Sequence, residues 1–223
     1  MIQLEQVTRT YALGGGLTVL RSVNLEIRRG EAVCIVGPSG SGKSTLLHIM
    51  GLLDRPTQGR LLFAGTDTTR LSDEELSRLR GRSLGFVFQA FHLLSHLSVQ
   101  ENVELPLQYQ RVPAPERHER ARAALAQVGL VARAHHRATQ LSGGERQRTA
   151  IARALVSGPD LILGDEPTGN LDQKTGRDIL DLFMDLHRAG KTLVVITHDP
   201  AVAARFPRVI RIVDGVVEEM APP

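Results

Sequence analysis

The chain has 223 residues, of which 42% are hydrophobic and 23% charged, an ordinary balance for a globular protein with one sizeable core. The net charge is only +3, aromatic residues make up 4%, and no run of five basic residues occurs, so a nucleic-acid partner is disfavoured. A single cysteine, Cys34, excludes an intrachain disulfide and a Cys-based metal site and indicates a reducing, cytosolic setting. No signal peptide is recognised, and no apolar run approaches the ~18 residues needed to cross a bilayer.

The first half of the chain predicts strands interrupted by two helices. Residues 1–27 are predicted to form strands joined by a turn at Gly14, Gly15 and Gly16. The continuous apolar run 32–36 is typical of a buried parallel strand, and it leads into a Gly-rich loop and a helix at 45–50. A strand at 59–65, a helix capped by Ser72 and a strand at 84–88 follow.

The second half is richer in predicted helices. A capping box at Ser98 and Glu101 opens one helix, and further helices are predicted at 117–128, 144–156 and 176–188. Strands at 161–163 and 193–197, a short helix at 200–205 and two strands around 214–215 complete the chain. This alternation predicts an α/β fold with a mainly parallel sheet and an antiparallel N-terminal part. We expect one domain over 1–223, with 1–90 and 158–223 as its core and 91–157 as an inserted helical subdomain.

The strongest chemical motif is the loop 37–44, which fits the phosphate-binding pattern G-x-x-x-x-G-K-[ST]. Glycines allow backbone N–H groups to converge on a triphosphate, and the helix that follows points its positive end at the same place. Lys43 is placed to reach the β- and γ-phosphates, and the Ser44 hydroxyl to bind Mg²⁺. The alternative is a Gly-rich turn that happens to contain a lysine. The predicted phosphate contacts come from Gly37, Ser39, Gly40, Ser41, Gly42, Lys43 and Ser44.

Two carboxylates, Asp165 and Glu166, follow the apolar strand 161–163. The carboxyl edge of such a sheet is where α/β proteins bind ligands. We expect Asp165 to hold Mg²⁺, directly or through water, and Glu166 to polarise the attacking water. A solvated acidic pair at a strand end is the alternative.

A second anion site is predicted at Ser142, Gly143 and Gly144, where a helix opens at Gly144 and presents free N–H groups. Because the loop 37–44 already surrounds one nucleotide, the simplest interpretation is that this helix binds a nucleotide held by another subunit. Two copies arranged head to tail would then complete each other's sites. An ordinary Gly-rich helix cap is the alternative.

Together these segments resemble the ATP-binding subunit of an ABC transporter over essentially the whole chain. Residues 37–45 are similar to the Walker A loop of that family, 161–166 to its Walker B strand, and 141–145 to its signature sequence. Residues 170–172 match the D-loop.

The resemblance also assigns roles to single residues. It implies that Gln89, in the Q-loop, senses Mg²⁺ and water and links to the membrane subunit, and that His198, the switch histidine, contacts the γ-phosphate. An aromatic residue at the position of Tyr11 stacks on adenine in the family, and Thr45 belongs to the nucleotide-binding loop. A strand-end amide, an exposed histidine and a core tyrosine are the plainer interpretations of Gln89, His198 and Tyr11.

Residues 51–59, 88–97 and 101–103 resemble the macrolide-exporter and lipoprotein-release branch, and 92–97 is closer to the macrolide-exporter type. This resemblance implies an ATPase of the efflux type that dimerises around two ATP·Mg²⁺. The expected partners are an integral-membrane permease and, through it, a periplasmic adaptor, and the expected location is the cytoplasmic face of the inner membrane. The catalytic group is Lys43, Gln89, Glu166 and His198, and Mg²⁺ is held by Ser44, Gln89 and Asp165.

Several alternatives stay open at this point. The chain could serve lipoprotein release, or it could be an ABC-type ATPase that regulates a cell-wall or signalling partner without transport. Soluble ABC proteins of DNA repair or translation are disfavoured, because they usually carry two nucleotide domains or long coiled-coil insertions. Both a stand-alone subunit and an excised domain fit the sequence.

Overall fold

A computed structural model describes residues 1–12 and 16–220. The described residues form two compact units, one made of residues 1–12, 16–77 and 190–220 and the other of residues 78–189. The predicted core segments 1–90 and 158–223 and the predicted helical subdomain 91–157 have other boundaries than these units. That division stays a prediction. In the described residues, no helix combines the length and apolar character needed to cross a bilayer.

The first unit contains an antiparallel sheet in the order β2-β1-β4-β5. These strands are β1 (Ile2–Tyr11), β2 (Leu17–Ile27), β4 (Gln58–Phe63) and β5 (Thr66–Asp67). In β1, Ile2, Leu4 and Val7 are buried, and the extra residue that breaks strict alternation lies beside Gln6, whose φ is +50°. The predicted N-terminal antiparallel part is confirmed; Gly14 and Gly15 of the predicted turn lie outside the described residues.

The first unit also holds the parallel strands that lead to the phosphate loop. Strand β3 (Ala32–Val36) lies between β8 (Thr192–Thr197) and β9 (Arg208–Val213), parallel to both, and β10 (Val216–Glu219) pairs antiparallel with β9. Two helices belong here, α1 (Lys43–Met50) and α7 (Pro200–Ala203). Val33 and Ile35 of β3 have no exposed surface. Burying each such side chain contributes about 1.5–3 kcal/mol to the stability of the fold. This burial fixes the strand from which the loop begins.

The second unit is built around two parallel strands, β6 (Leu84–Phe88) and β7 (Leu161–Asp165), whose register pairs Phe88 with Asp165. Helix α2 (Asp73–Ser83) leads into it, and its own helices are α3 (Val99–Tyr109), α4 (Ala114–Gln127), α5 (Gly143–Leu155) and α6 (Gln173–Arg188). Helix α5 lies directly on β6, since a Cβ at Gly85 would be 2.6 Å from the carbonyl oxygen of Ala154.

The predicted elements are present, and the differences lie at their ends. Helix α6 begins three residues before the predicted 176, because the Asp172 carboxylate accepts hydrogen bonds from the backbone N–H groups of Lys174 and Thr175 and caps an earlier turn. Helix α4 begins before the predicted 117, since Pro115 fits the first turn of a helix. Strand β5 and three short 3-10 helices, Thr68–Arg70, Val131–Arg133 and Ala138–Gln140, were not predicted.

Candidate ATP site

The phosphate loop, with Gly37, Ser39, Gly40, Ser41, Gly42, Lys43, Ser44 and Thr45, connects β3 to α1 in the first unit. Lys43 Nζ donates to the carbonyl oxygens of Gly37 and Pro38, both at 2.8 Å, so the loop curls around the ammonium group. Gly40 and Gly42 have φ of +79° and +104°, a backbone conformation that glycine adopts without strain.

Two features of this loop fit a phosphate ligand. Helix α1 starts at Gly42 without any side-chain cap, so its first N–H groups are not used by a capping oxygen. The backbone at Gly37 lies so close to β9 that a Cβ added there would be 2.2 Å from the carbonyl oxygen of Ile212. The loop therefore combines the uncapped start of a helix with the nearby ammonium group that a triphosphate requires.

His198 lies at the same edge of the sheet as this loop. The parallel register pairs Val36 with Thr197, the last residues of β3 and β8. The residues that follow them, Gly37 and His198, therefore start from neighbouring positions at the end of the sheet. His198 is exposed, and Asp199 behind it caps the short helix α7 by accepting from the N–H of Ala201. The structure thus places His198 just past the carboxyl end of β8, the edge at which α/β sheets bind ligands.

Tyr11 ends strand β1 and is half-buried, so it is not a core residue of the antiparallel sheet. Its hydroxyl donates to Asp54 Oδ2 at 2.9 Å, and the guanidinium of Arg9 lies 4.4 Å from the centre of its ring. The ring is fixed by side chains that no sequence motif indicates.

In the second unit, Gln89, Asp165 and Glu166 share one strand edge. The register of β6 and β7 pairs Phe88 with Asp165, which places Gln89 beside Glu166 just past the ends of the strands. Glu166 has a φ of +44°, in the left-handed region that costs a non-glycine residue about 1–3 kcal/mol.

The Gln89 side chain is tied to the segment after Glu166. Its Nε2 donates to Asn170 Oδ1 at 3.2 Å, and Asn170 Nδ2 donates in return to the backbone carbonyl of Gln89 at 3.0 Å. A Cβ at Gly169 would lie 2.8 Å from Gln89 Nε2, so a larger residue there would displace the Gln89 amide from this pair.

The start of helix α5 is closed by a capping box that the sequence analysis did not predict. Ser142 Oγ accepts from the N–H of Glu145 at 3.2 Å, and Glu145 Oε2 accepts from the N–H of Ser142 at 2.9 Å. The bond from the Ser142 N–H to the Glu145 carboxylate, and after it the Ser142 hydroxyl and the Arg133 guanidinium, hold the pKa of that carboxyl below its usual range. Because Ser142 is engaged in the cap, Gly143 and Gly144 supply the remaining N–H groups. Their lack of side chains also lets the helix approach its neighbours, since a Cβ at Gly144 would be 2.5 Å from Thr175 Cγ2.

Two residues of α5 were missed by sequence reasoning. Gln147 has no exposed surface, and its Nε2 donates at 2.6 Å to the carbonyl of Pro167, directly after Glu166. Arg153 donates to the carbonyls of His92 and Phe91 at 2.5 and 2.8 Å, just beyond Gln89, and burial lowers the pKa of its guanidinium. Gln147 precedes the buried residues Ala150 and Ile151 by three and four positions, a helical spacing that could have revealed it.

The structure therefore groups the predicted residues by unit. The phosphate loop, Tyr11 and His198 belong to the first unit, and Gln89, Asp165, Glu166 and residues 142–144 to the second.

Comparison with known proteins identifies the family. Residues 20–169, more than half of the chain, match the family model described as ABC transporter. An uncharacterised ABC transporter ATP-binding protein of Thermotoga maritima is 53% identical over 98% of this chain and 94% of its own length. The macrolide export ATP-binding/permease protein MacB of Burkholderia lata is 50% identical over 97% of this chain, which spans only 32% of that protein.

A solved structure agrees in fold over the full length. The dimeric ATP-binding cassette MJ0796, in a post-hydrolysis state bound to ADP and Pi, superposes with a TM-score of 0.89 at 45% identity, with 100% of both chains covered. The phosphate loop, the strained Glu166 and the capped glycine pair thus occur in a chain that belongs to the ABC transporter family and is one of its ATP-hydrolysing cassettes.

Proposed function

We propose that two copies of this chain close head to tail around two ATP molecules and that this closure drives a membrane permease of the efflux type. The observation that carries the proposal is the glycine pair at the start of α5, which we take as the second anion site. Helix α5 has 13 residues, and the N–H groups of Gly143 and Gly144 at its start belong to neither the phosphate loop nor its flanking helix. The dimeric state of the MJ0796 cassette supports the same arrangement.

Each closed site would combine residues of both protomers. Lys43 and the amides of Gly37, Ser39, Gly40, Ser41, Gly42, Ser44 and Thr45 bind the phosphates of one ATP, and the base lies on Tyr11. Ser142, Gly143 and Gly144 of the partner subunit's α5 face the same γ-phosphate. Positioned amides and a fixed ammonium stabilise charge that develops during phosphoryl transfer, and this is the main catalytic contribution in such sites.

The hydrolytic step is assigned to the strand edge of the second unit and to His198. Glu166 accepts a proton from the attacking water and His198 donates toward the γ-phosphate, while Gln89 orients the water. Oxygen donors suited to Mg²⁺ come from Ser44, Gln89 and Asp165, and the ion, when bound, neutralises charge on the β- and γ-phosphates.

The membrane partner is proposed from the relatives. In the Burkholderia lata protein, the region that matches this chain belongs to a macrolide export ATP-binding/permease protein. We assign this chain to the same task at the cytoplasmic face of the inner membrane, with a permease and, beyond it, a periplasmic adaptor as partners. Copurification with a permease supports this assignment, whereas copurification with a cell-wall hydrolase activator favours the regulatory alternative.

The sandwich is tested with Glu166→Gln, which keeps the geometry of the site and removes its base. In saturating ATP and Mg²⁺, light scattering after size exclusion is expected to give twice the monomer mass, and in ADP the monomer mass. The matched control is Glu116→Gln, the same change on the exposed surface of α4, which should turn over ATP and show no stable dimer. A Glu166→Gln protein that binds ATP and stays monomeric contradicts the proposal.

A further inference from the structure

The side chain of Tyr11 is the centre of a three-residue cluster in the first unit. The Tyr11 hydroxyl donates a hydrogen bond to Asp54 Oδ2 at 2.9 Å, and Asp54 Oδ1 forms an ion pair with Arg9 Nη2 at 2.8 Å. The Arg9 guanidinium lies 4.4 Å from the Tyr11 ring centre, within the range of a cation–π contact. The Arg9 and Asp54 side chains are only 23% and 22% exposed, so water competes weakly for these bonds.

The chain positions explain why these three residues meet. Arg9 and Tyr11 are two residues apart on β1, so their side chains leave the strand on the same face. Asp54 lies four residues beyond the end of α1, and its N–H donates to the carbonyl of His48 within that helix. Helix α1 begins in the phosphate loop at Lys43, so Asp54 links the position of the Tyr11 ring to that loop.

We propose that Asp54 and Arg9 are positioning residues that hold the Tyr11 ring as a fixed platform for the adenine of ATP. The inference rests on the proposed contact between Tyr11 and the base. Arg9 covers one face of the ring, so the base stacks on the other face, in the order guanidinium, phenol, adenine. An aromatic ring already fixed in its bound orientation loses little conformational freedom when a ligand stacks on it, and this strengthens binding.

The inference distinguishes two ligands that share a phosphate chain. ATP uses both the phosphate loop and the platform, whereas inorganic tripolyphosphate uses the loop alone. A change that disturbs only the platform should weaken ATP and leave tripolyphosphate unaffected. A change that disturbs the fold around α1 should weaken both.

The test is isothermal titration of ATP and tripolyphosphate into the wild type, Tyr11→Phe, Tyr11→Ala, Asp54→Ala and Asp54→Asn. Removal of the ring by Tyr11→Ala should weaken ATP about 10- to 100-fold, as loss of a base-stacking side chain does. Tyr11→Phe keeps the ring and loses the hydroxyl bond, so a loss of about 3- to 10-fold is expected, with a similar loss for Asp54→Ala. Tripolyphosphate affinity should stay within about twofold throughout. Asp54→Asn keeps an acceptor and the side-chain volume, so it should fold normally and fall between the wild type and Asp54→Ala.

The double variant Tyr11→Ala/Asp54→Ala provides the internal check. Asp54 acts through Tyr11, so its loss should have no further effect once the ring is gone. Asp185→Ala is the matched control, since it breaks another aspartate–arginine pair, Asp185 with Arg188, on the exposed end of α6 in the second unit. It should bind both ligands like the wild type.

The outcomes test the contact between Tyr11 and the base separately from the positioning role of Asp54. If Tyr11→Ala leaves the ATP affinity unchanged, the proposed contact between Tyr11 and the base is wrong. If Tyr11→Ala weakens ATP but Tyr11→Phe and both Asp54 variants bind it like the wild type, the positioning role is overturned. Equal losses for ATP and tripolyphosphate in the Asp54 variants would also overturn it, because they indicate a structural role only.

Discussion

Replacing Gln147 by leucine should separate activity from stability. Gln147 is fully buried on α5, its Nε2 donates to the Pro167 carbonyl at 2.6 Å, and its Oε1 has no hydrogen-bond partner among the described residues. Leucine has a similar volume, so the substitution removes the polar atoms and leaves no large cavity.

The free-energy contributions nearly cancel. Losing the bond and leaving the Pro167 carbonyl without its donor costs about 1–3 kcal/mol, and removing the unpaired buried Oε1 returns about 1–3 kcal/mol. The free energy of unfolding of Gln147→Leu should therefore lie within about 2 kcal/mol of the wild-type value. Gln147→Ala also loses packing and should be destabilised by about 2–4 kcal/mol.

Activity should respond differently. Glu166 is held at a φ of +44°, and the Gln147 bond restrains the carbonyl group of the next residue, Pro167. Without that bond the Glu166 carboxylate can relax away from its position, and displacements of about 1 Å at a reacting group reduce rates by up to ~10²-fold. We expect kcat for ATP hydrolysis to fall at least about 10-fold, with KM changed much less.

The assays are urea unfolding followed by circular dichroism and steady-state ATPase with and without the permease. Gln127→Leu, the same change at an exposed position at the end of α4, should alter neither quantity appreciably. A Gln147→Leu protein with normal stability and kcat within twofold of the wild type would refute the reasoning, because the bond to Pro167 would then have no part in placing Glu166.

Three further predictions concern the first unit and the cap of α5. Gly37→Ala places a Cβ 2.2 Å from the Ile212 carbonyl oxygen, between two backbone segments that cannot easily move, so ATP affinity should fall more than about 10-fold in a titration with fluorescent nucleotide. The chain has no tryptophan, so Tyr11→Trp introduces a single reporter whose fluorescence should be quenched by ATP and unchanged by tripolyphosphate. The lowered pKa of Glu145 means that its carboxylate stabilises the fold above the unfolded pKa of about 4.3, and that this contribution is lost as the pH falls through the lower folded value. The stability difference between the wild type and Glu145→Gln, from urea melts, should therefore be constant at pH 6–7 and shrink below about pH 4.

Sequence patterns predicted the elements whose causes are local. The capping box predicted at Ser98 involves two residues three positions apart, and it is present. The apolar run of β3 and the glycine pattern of the phosphate loop are equally short-range, so the strand–loop–helix unit could be read directly. The start of α6 was misplaced because Asp172 was interpreted as a motif residue and not as a helix cap.

Contacts between distant residues could not be predicted in this way. The bond from Tyr11 to Asp54 spans 43 residues and the bond from Arg153 to Phe91 spans 62. Neither Asp54 nor Arg153 occupies a position that local periodicity marks, because their partners are brought near only by the tertiary fold. The single-residue roles of Gln89, His198 and Tyr11 came from family resemblance and stay predictions.

Helix α5 gives the Gln147 substitution a second consequence under the proposed head-to-tail dimer. Its start, residues 142–144, would face the nucleotide bound by the partner, while Gln147 and Arg153 contact the segments that follow the protomer's own Glu166 and Gln89. A hydrogen-bonded helix moves as a unit, so a shift at its start changes the restraint on Glu166 of the other site. The two sites of the wild type should then hydrolyse ATP cooperatively. Gln147→Leu should lower the Hill coefficient for ATP toward 1 even where the dimer still forms. A Hill coefficient equal to that of the wild type, in a variant with reduced kcat, would show that Gln147 serves its own site alone.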